Sequence, residues 1–341
     1  MTSSGITTSD RSPTRFRHLV GAVLAVSIAL VAVSCTTDTD ASDRAPAGDQ
    51  AAAEDLAGLV DIGGGRHIYM ECRGSGGPTV VLVSGLDTAA DLWDAPEQTG
   101  PKVLPEVAET TRVCAYDRPG APTTTGQPSR SDDIPQPSTP VGAADDLHAL
   151  LQAADVPGPY VLAAHSYGGL IARLYAADHP DDVAGVVLVD VVSPELRAGM
   201  STAWWEHWKV ANARTPESIA EYPPLERIEF DEALDQVEQA DPLRPMPLVV
   251  ISADELYGPG MEERGARGEL PAGVPAALGY VIDSANKGAQ QELAELVPGA
   301  EHLTATHSGH NVMIDNAPLV VDAIDSVVRA VREHRTTVAA S

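Results

Sequence analysis

Basic charge is scarce in this chain of 341 residues. It has 22 Lys and Arg residues against 49 Asp and Glu residues, which gives a formal net charge of −27 at pH 7. Nucleic acids and anionic lipid surfaces attract proteins mainly through Lys and Arg, so this balance argues against both as partners. No internal repeat is apparent, and nothing in the sequence supports a phosphate loop or a nucleotide cofactor.

A hydrophobic run long enough to cross a bilayer is also missing near the start of the chain. The apolar run Leu19–Val33 is too short to span comfortably, but with three arginines before it, it is typical of a signal h-region. It ends at Ser34-Cys35, which resembles a bacterial lipobox and implies lipid on Cys35 and attachment to a membrane; an ordinary secretory signal cleaved nearby is the alternative. We therefore predict a signal sequence at 1–35, and a disordered acidic tether at 36–56, rich in Asp, Ala and Thr.

The remaining residues, 57–341, suffice for one α/β domain with an insertion. Thr139 caps a predicted helix that has Pro140 at its first position. Further helices are predicted after residue 168, at 289–296 and at 318–332, and buried strands at 80–84, 160–164, 185–189, 247–251 and 301–306. This alternation predicts a mostly parallel sheet with helices on both faces.

The stretch 163–168, Ala-Ala-His-Ser-Tyr-Gly, places a serine where a nucleophile would lie. An apolar strand precedes it and a segment with helical spacing follows, which is the context of the G-x-S-x-G nucleophile elbow. Ala164 and Gly168 flank Ser166 because the turn is tight, and a larger side chain would strike the neighbouring backbone. Ala164 replaces the first glycine of the generic pattern. Ser166 is the predicted nucleophile.

Three other segments, together with this elbow, carry a resemblance to a known family: Pro78–Leu86, Arg112–Gly120 and Ser308–Asn311. Together they resemble the α/β-hydrolase superfamily, and more narrowly its secreted actinobacterial-type serine hydrolases. The resemblance runs from about Val60 to the C-terminus, in the expected order. It implies the α/β-hydrolase fold, with a helical lid inserted at 193–245.

The same resemblance bears on the cysteines, of which the chain has three. If Cys35 takes lipid, Cys72 and Cys114 remain. The strands that hold them are neighbours in the family's sheet, so a disulfide between them is expected in an oxidising compartment. Two unpaired core cysteines are the alternative.

A serine hydroxyl needs a base to remove its proton. The resemblance implies His310 for this role, because it follows the last strand; His307 is the second candidate. An acid must orient the imidazole, and in this fold it lies between the serine and the histidine in the chain. Asp254 follows the strand after which most members carry the acid, and is preferred. Asp190, one strand earlier, is the alternative.

The resemblance also implies two backbone donors for the oxyanion of the tetrahedral intermediate. These are the N–H groups of Tyr167 and Leu86, with Gly85 allowing close approach of the backbone to the substrate. Three of the four tryptophans, Trp204, Trp205 and Trp208, lie in the predicted lid. They are expected either to form an apolar wall of the substrate pocket or to pack the lid onto the core.

These features predict an exported, membrane-tethered serine hydrolase that cleaves small carboxylic esters without a cofactor or a metal. Two alternatives stay open. One is a peptidase of the proline-iminopeptidase kind, in which carboxylates such as Glu206 would hold the substrate amine; the other is a non-catalytic binding protein on the same scaffold. A metal site at His307, His310 and Asp315 is not expected, because these residues fall on a loop.

Overall fold

An eight-stranded sheet organises the computed structural model, which describes residues 55–338. The strands lie side by side in the order β1-β2-β4-β3-β5-β6-β7-β8. β2 pairs antiparallel with β1 and β4, whereas β3 to β8 run parallel to one another. Their bounds are β1 Leu56–Gly63, β2 Arg66–Arg73, β3 Thr79–Val83, β4 Val113–Tyr116, β5 Tyr160–His165, β6 Val183–Val189, β7 Leu248–Ile251 and β8 Glu301–Leu303.

Helices cover both faces of the sheet. In the described part of the chain they are α1 Val103–Ala108, α2 Pro140–Ala153, α3 Gly168–Asp178, α4 Pro194–Ala198, α5 Thr202–Asn212, α6 Pro216–Glu221, α7 Phe230–Glu238, α8 Tyr257–Ala266, α9 Leu278–Leu293, α10 Val312–Asp315 and α11 Ala317–Arg332, with a 3-10 helix at Ala90–Asp94. The predicted mostly parallel α/β fold is confirmed. α9 begins earlier than the predicted helix at 289–296 and ends before it does.

The core consists of two apolar layers, one on each face of the sheet. Within β3, Val81 and Val83 belong to the layer under α2, α3 and α9, and Val80 and Leu82 to the layer under α1 and α11. Successive side chains of a strand point to opposite faces. With both faces covered, the central strands are apolar throughout rather than alternating, which is the pattern that the sequence shows.

A helical segment, α4 to α7, lies between β6 and β7, where an insertion was predicted at 193–245. At the other end of the domain, β1 begins at Leu56, so the predicted tether at 36–56 extends slightly too far. Cys35 and the predicted signal sequence lie outside the described residues. Between residues 55 and 338, no helix has the length and apolar character needed to cross a bilayer.

A disulfide joins Cys72 on β2 to Cys114 on β4. The two residues are register partners in this antiparallel pair, their Cα atoms are 4.0 Å apart, and neither is exposed to solvent. The bond closes a loop of 42 residues. Closing such a loop restricts the unfolded chain and stabilises a fold by about 2–4 kcal/mol.

The double variant Cys72→Ala/Cys114→Ala should therefore lose about 2–4 kcal/mol of unfolding free energy in urea titrations. When the parent protein is unfolded in the presence of reductant, its unfolding free energy should fall to that of the variant. The unfolding free energy of the variant should not change. Titration of the denatured, unreduced chain for thiols provides the check. Two reactive thiols at positions 72 and 114 would contradict the bond.

Candidate active site

Ser166 occupies a tight turn between β5 and α3. Its φ of 51° lies in the left-handed region, which costs a residue with a side chain about 1–2 kcal/mol. The surrounding backbone holds this conformation, because Ser166 N–H donates to the carbonyl of Val189 (3.2 Å) and Ser166 O accepts from Val192 N–H (3.2 Å). A Cβ at Gly168 would lie 2.5 Å from the carbonyl oxygen of Val83. The position therefore requires glycine, as the tight turn predicted.

A continuous chain of hydrogen-bonding side chains runs through this turn. The Nε2 atom of His310 lies 3.0 Å from Ser166 Oγ, and its Nδ1 atom lies 2.6 Å from Asp190 Oδ2. Asp190 is 3% exposed, and its Oδ1 accepts from the backbone N–H of Ala253 (3.2 Å) and from Asn286 Nδ2 (3.3 Å). A carboxylate can only accept at Nδ1, so that nitrogen carries the proton. Nε2 is then free to accept the proton of Ser166.

Asp254, the acid preferred from the sequence, does not contact this imidazole. Its Oδ1 accepts from the backbone N–H of Ser308 (2.9 Å) and from Thr306 Oγ1 (3.2 Å). Bonds from the backbone N–H groups of Ser308 and His307 lower the pKa of the Asp254 carboxyl. The preference for Asp254 as the partner of His310 is wrong, and the alternative, Asp190, occupies that place. Asp254 instead organises the loop that carries His310.

His165 is a second histidine at this site, and the sequence analysis did not single it out. It is 3% exposed, and its Nε2–H donates to the backbone carbonyl of His310 at 3.0 Å. Burial, with the neighbouring His310, holds the pKa of His165 well below its usual value, so the ring is neutral. Its position in the sequence could have indicated this, because it directly precedes Ser166 at the carboxyl end of β5.

The loop after β3 lies directly against Ser166. A Cβ at Gly85 would be 2.8 Å from His165 Nδ1 and 3.1 Å from Ser166 Cβ, so only glycine fits there. Leu86 and Tyr167, the predicted oxyanion donors, both line the cavity into which Ser166 faces.

Arg118 anchors this loop from behind. Its guanidinium donates to the carbonyls of Ser84 (2.8 Å) and Gly85 (2.5 Å) and pairs with Glu226, with Nε 2.7 Å from Oε1. Glu226 also accepts from the backbone N–H of Asp87 at 3.0 Å. Burial would lower the pKa of Arg118, but Glu226 raises it above the ordinary value. Loss of either partner would leave a buried charge unpaired, at a cost of about 3–5 kcal/mol.

Asp87 makes a second link between this loop and the helical segment. Its carboxylate lies 2.7 Å from the guanidinium of Arg214, in the stretch between α5 and α6. Burial raises the pKa of Asp87 to about 6, and the attraction of Arg214 opposes the shift only in part. The Asp87 carboxyl is therefore about half ionised near pH 6, and the ion pair with Arg214 weakens as the pH falls below that value.

The cavity at Ser166 has a volume of about 330 Å³ and a largely apolar wall. Trp208 and Phe230 line it, with their rings in edge contact at 4.7 Å. Trp205 stacks behind Trp208 at 4.6 Å, and Trp204 packs beside His207. Of the three tryptophans predicted to line the pocket, only Trp208 does so. The indole N–H of Trp205 donates instead to Asp231 Oδ1 at 2.6 Å. Gly85, also predicted for the pocket, packs against the elbow instead of lining the cavity wall.

A different part of the domain holds the side chains that could share a metal ion. Within residues 55–338 these are His148, His179 and Asp182, whose ligand atoms lie within 4.8 Å of one another. Asp182 immediately precedes β6, whereas Asp190 follows it. The cluster therefore lies at the opposite edge of the sheet from Ser166.

This sheet topology, with a serine elbow after β5 and a histidine after β8, defines the class of the α/β hydrolases. The chain belongs to the alpha/beta hydrolase family, whose sequence model matches residues 80–323. An uncharacterized protein of Schizosaccharomyces pombe is 35% identical over 148 residues, 37% of this chain and 26% of that protein. YqjL of Bacillus subtilis is 27% identical over 184 residues, 54% of this chain and 64% of YqjL. The chain spans about a quarter to two thirds of the length of these curated relatives.

Among solved structures, the chain is similar to Est816, described as an N-acyl homoserine lactone degrading enzyme. The identity is 21% and the TM-score 0.50, over 79% of this chain and 99% of Est816. At this level of identity the likeness establishes the shared fold.

Replacement of the two candidate acids by asparagine should affect activity very differently. Asp190→Asn should reduce kcat by about 10⁴-fold, because the amide cannot hold His310 in the required tautomer or stabilise its charged form. Asp254→Asn should cost far less, since its carboxylate binds only the loop. Steady-state kinetics of both variants, with circular dichroism as a check of folding, tests this. Greater damage from Asp254→Asn than from Asp190→Asn would refute the assignment.

Proposed function

We propose that this protein is a serine esterase that hydrolyses carboxylic esters through an acyl-enzyme. The hydrogen-bonded chain Ser166–His310–Asp190, opening into one cavity, carries the proposal. A hydroxyl, a neutral imidazole with a free acceptor nitrogen and a buried carboxylate are the three groups that such chemistry requires.

In the first half-reaction Ser166 Oγ attacks the ester carbonyl carbon while His310 Nε2 takes its proton. Asp190 stabilises the imidazolium without accepting the proton. The tetrahedral intermediate then collapses, the bond to the alcohol oxygen breaks, and His310 protonates the departing alcohol. Water, deprotonated in turn by His310, attacks the acyl-enzyme and releases the carboxylic acid and free Ser166.

The N–H groups of Leu86 and Tyr167 are proposed to bind the oxyanion. The bond from Arg118 to the carbonyl of Gly85 supports this role for Leu86. In a trans peptide the C=O and N–H point in opposite directions. Since the Gly85 carbonyl points towards Arg118, the N–H of Leu86 points away from it. Arg118 thus acts as a positioning residue, because it sets the direction of this donor before substrate binds.

The segment α4 to α7 is proposed to act as the lid over the site. It supplies Leu196, Trp208 and Phe230 to the cavity wall. These apolar side chains favour the hydrocarbon part of an ester and exclude bulk water from the acyl-enzyme.

The peptidase alternative finds no support in this cavity. An aminopeptidase needs a free carboxylate to hold the substrate amine, and the carboxylate on the cavity wall, Asp190, is bound to His310. Glu206 pairs with Lys209 at 2.9 Å and does not line the cavity. A binding protein would have no need of the aligned serine and imidazole.

Ser166→Ala should abolish both fluorophosphonate labelling and hydrolysis of 4-nitrophenyl esters, with kcat falling by about 10⁴- to 10⁶-fold. The matched control is Ser326→Ala. Ser326 lies on α11, which covers the face of the sheet opposite to α3, so this variant should keep both the labelling and the hydrolysis. Intact-mass and rate measurements on the two variants provide the test. Undiminished turnover by a folded Ser166→Ala protein would rule out the mechanism.

We also propose that the protein is exported and tethered through lipid on Cys35. The disulfide between Cys72 and Cys114 supports export, because such bonds persist in oxidising compartments. The lipobox-like sequence at Ser34-Cys35 supports lipidation.

Fractionation of bacterial cells that express the full chain tests the anchor. The parent should sediment with membranes, because multiple acyl chains bind far more stably than one. Cys35→Ser should appear in the soluble or secreted fraction with its esterase activity intact. Cys35→Ser protein that still sediments with membranes would contradict the anchor.

A further inference from the structure

Most arginines in the described part of the chain bind a carboxylate. Examples are the pairs of Arg66 with Asp146, Arg130 with Asp117 and Arg244 with Asp181. Such pairing is expected where acidic side chains outnumber basic ones by 49 to 22. In the described residues, a smaller group of arginines, among them Arg227, Arg264 and Arg332, has hydrogen bonds to backbone carbonyls instead, and the location of each becomes informative.

Arg264 is one such residue, and it lies at the catalytic cavity. It lies on α8, is exposed to solvent and lines the same cavity as Ser166 and His310. Its guanidinium donates to the carbonyl oxygen of Glu269 at 3.5 Å rather than to a carboxylate. The acidic residue on that wall, Asp190, is already engaged by His310, Ala253 and Asn286. Among the residues that line this cavity, Arg264 thus has no free carboxylate as a partner.

A second arginine of this kind lies in the adjoining cleft. Arg227 donates to the carbonyls of Pro223 (3.1 Å) and Leu225 (3.2 Å). This cleft has a volume of about 250 Å³ and shares Leu86, Asn212, Arg214 and Phe230 with the catalytic cavity. Arg214, on the shared wall, is neutralised by Asp87. Arg264 is thus the guanidinium without a carboxylate partner in the catalytic cavity, and Arg227 is the guanidinium without one in the adjoining cleft.

We propose that the substrate carries a carboxylate, which Arg264 binds while Ser166 attacks the ester at the other end. This inference rests on the proposed esterase function and names its substrate class: half-esters of dicarboxylic acids and related esters with one anionic end. A planar guanidinium matches a carboxylate through two parallel hydrogen bonds. The apolar side chains that line the same cavity, such as Trp208, Met261 and Ile282, suit the hydrocarbon spacer of such a molecule.

Two esters of equal length separate charge recognition from chain length: mono-4-nitrophenyl adipate and 4-nitrophenyl hexanoate. The parent enzyme should prefer the adipate by about tenfold or more in kcat/KM, after subtraction of the spontaneous rate. Arg264→Gln should remove this preference and leave hexanoate hydrolysis within about twofold. Arg267→Gln is the matched control, because Arg267 lies just beyond α8, pairs with Glu263 and Glu269, and does not line the cavity.

Arg264→Lys, which keeps the charge but not the fork of donors, should retain part of the preference, and added salt should weaken it in the parent. Equal rates on the two esters in the parent, or equal losses on both in Arg264→Gln, would overturn the proposal while leaving the esterase function intact. A preference abolished by Arg227→Gln but kept in Arg264→Gln would overturn the assignment to Arg264 by placing the anion in the adjoining cleft.

A binding measurement keeps the two proposals separate. If the parent hydrolyses neither ester, the esterase function fails, and calorimetric titration of the parent with adipate still tests the anion site. Binding that Arg264→Gln abolishes and Arg267→Gln retains would support the site. Absence of adipate binding to the parent would refute it.

Discussion

The parallel pairing of β5 with β6 is the constraint on which the site depends. His165 and Val189 are register partners at the ends of these strands, so Ser166 and Asp190 leave the sheet side by side. Both take left-handed backbone conformations, with φ values of 51° and 43°, which turn the chain sharply at the same edge. His310 then needs only to reach over this edge to contact both side chains. A change of register between the two strands would separate Ser166 from Asp190.

A second constraint couples the helical segment to the loop after β3. Arg118 and Glu226 are both almost fully buried, and their pair holds the carbonyls of Ser84 and Gly85 on one side and the N–H of Asp87 on the other. The ion pair of Asp87 with Arg214 reinforces the connection from the solvent side. Because one buried pair serves both parts, displacement of the segment would also disturb the loop that is proposed to bind the oxyanion.

The choice between the two aspartates shows where local patterns stop being sufficient. Both follow an apolar strand, and the sequence around each is compatible with the acid's role. The register sets them apart: Ile251 pairs with Val189, so Asp190 is the first residue beyond the sheet edge, whereas Asp254 is the third beyond its own strand. That displacement brings Asp254 under the loop of Ser308 instead of the ring of His310.

The sequence by itself determined the strands, the elbow at Ser166 and the α/β class, because these follow from hydrophobic periodicity and turn sterics within short segments. The resemblance carried by those segments added His310 and the partnership of Cys72 with Cys114. Tertiary structure alone decided which aspartate contacts His310, the place of Trp208 on the cavity wall and the pairing of Arg118 with Glu226. Each of these depends on how distant segments meet, since 108 residues separate Arg118 from Glu226 and 120 separate Asp190 from His310. Local sequence carries no information about such distances until the sheet brings the segments together.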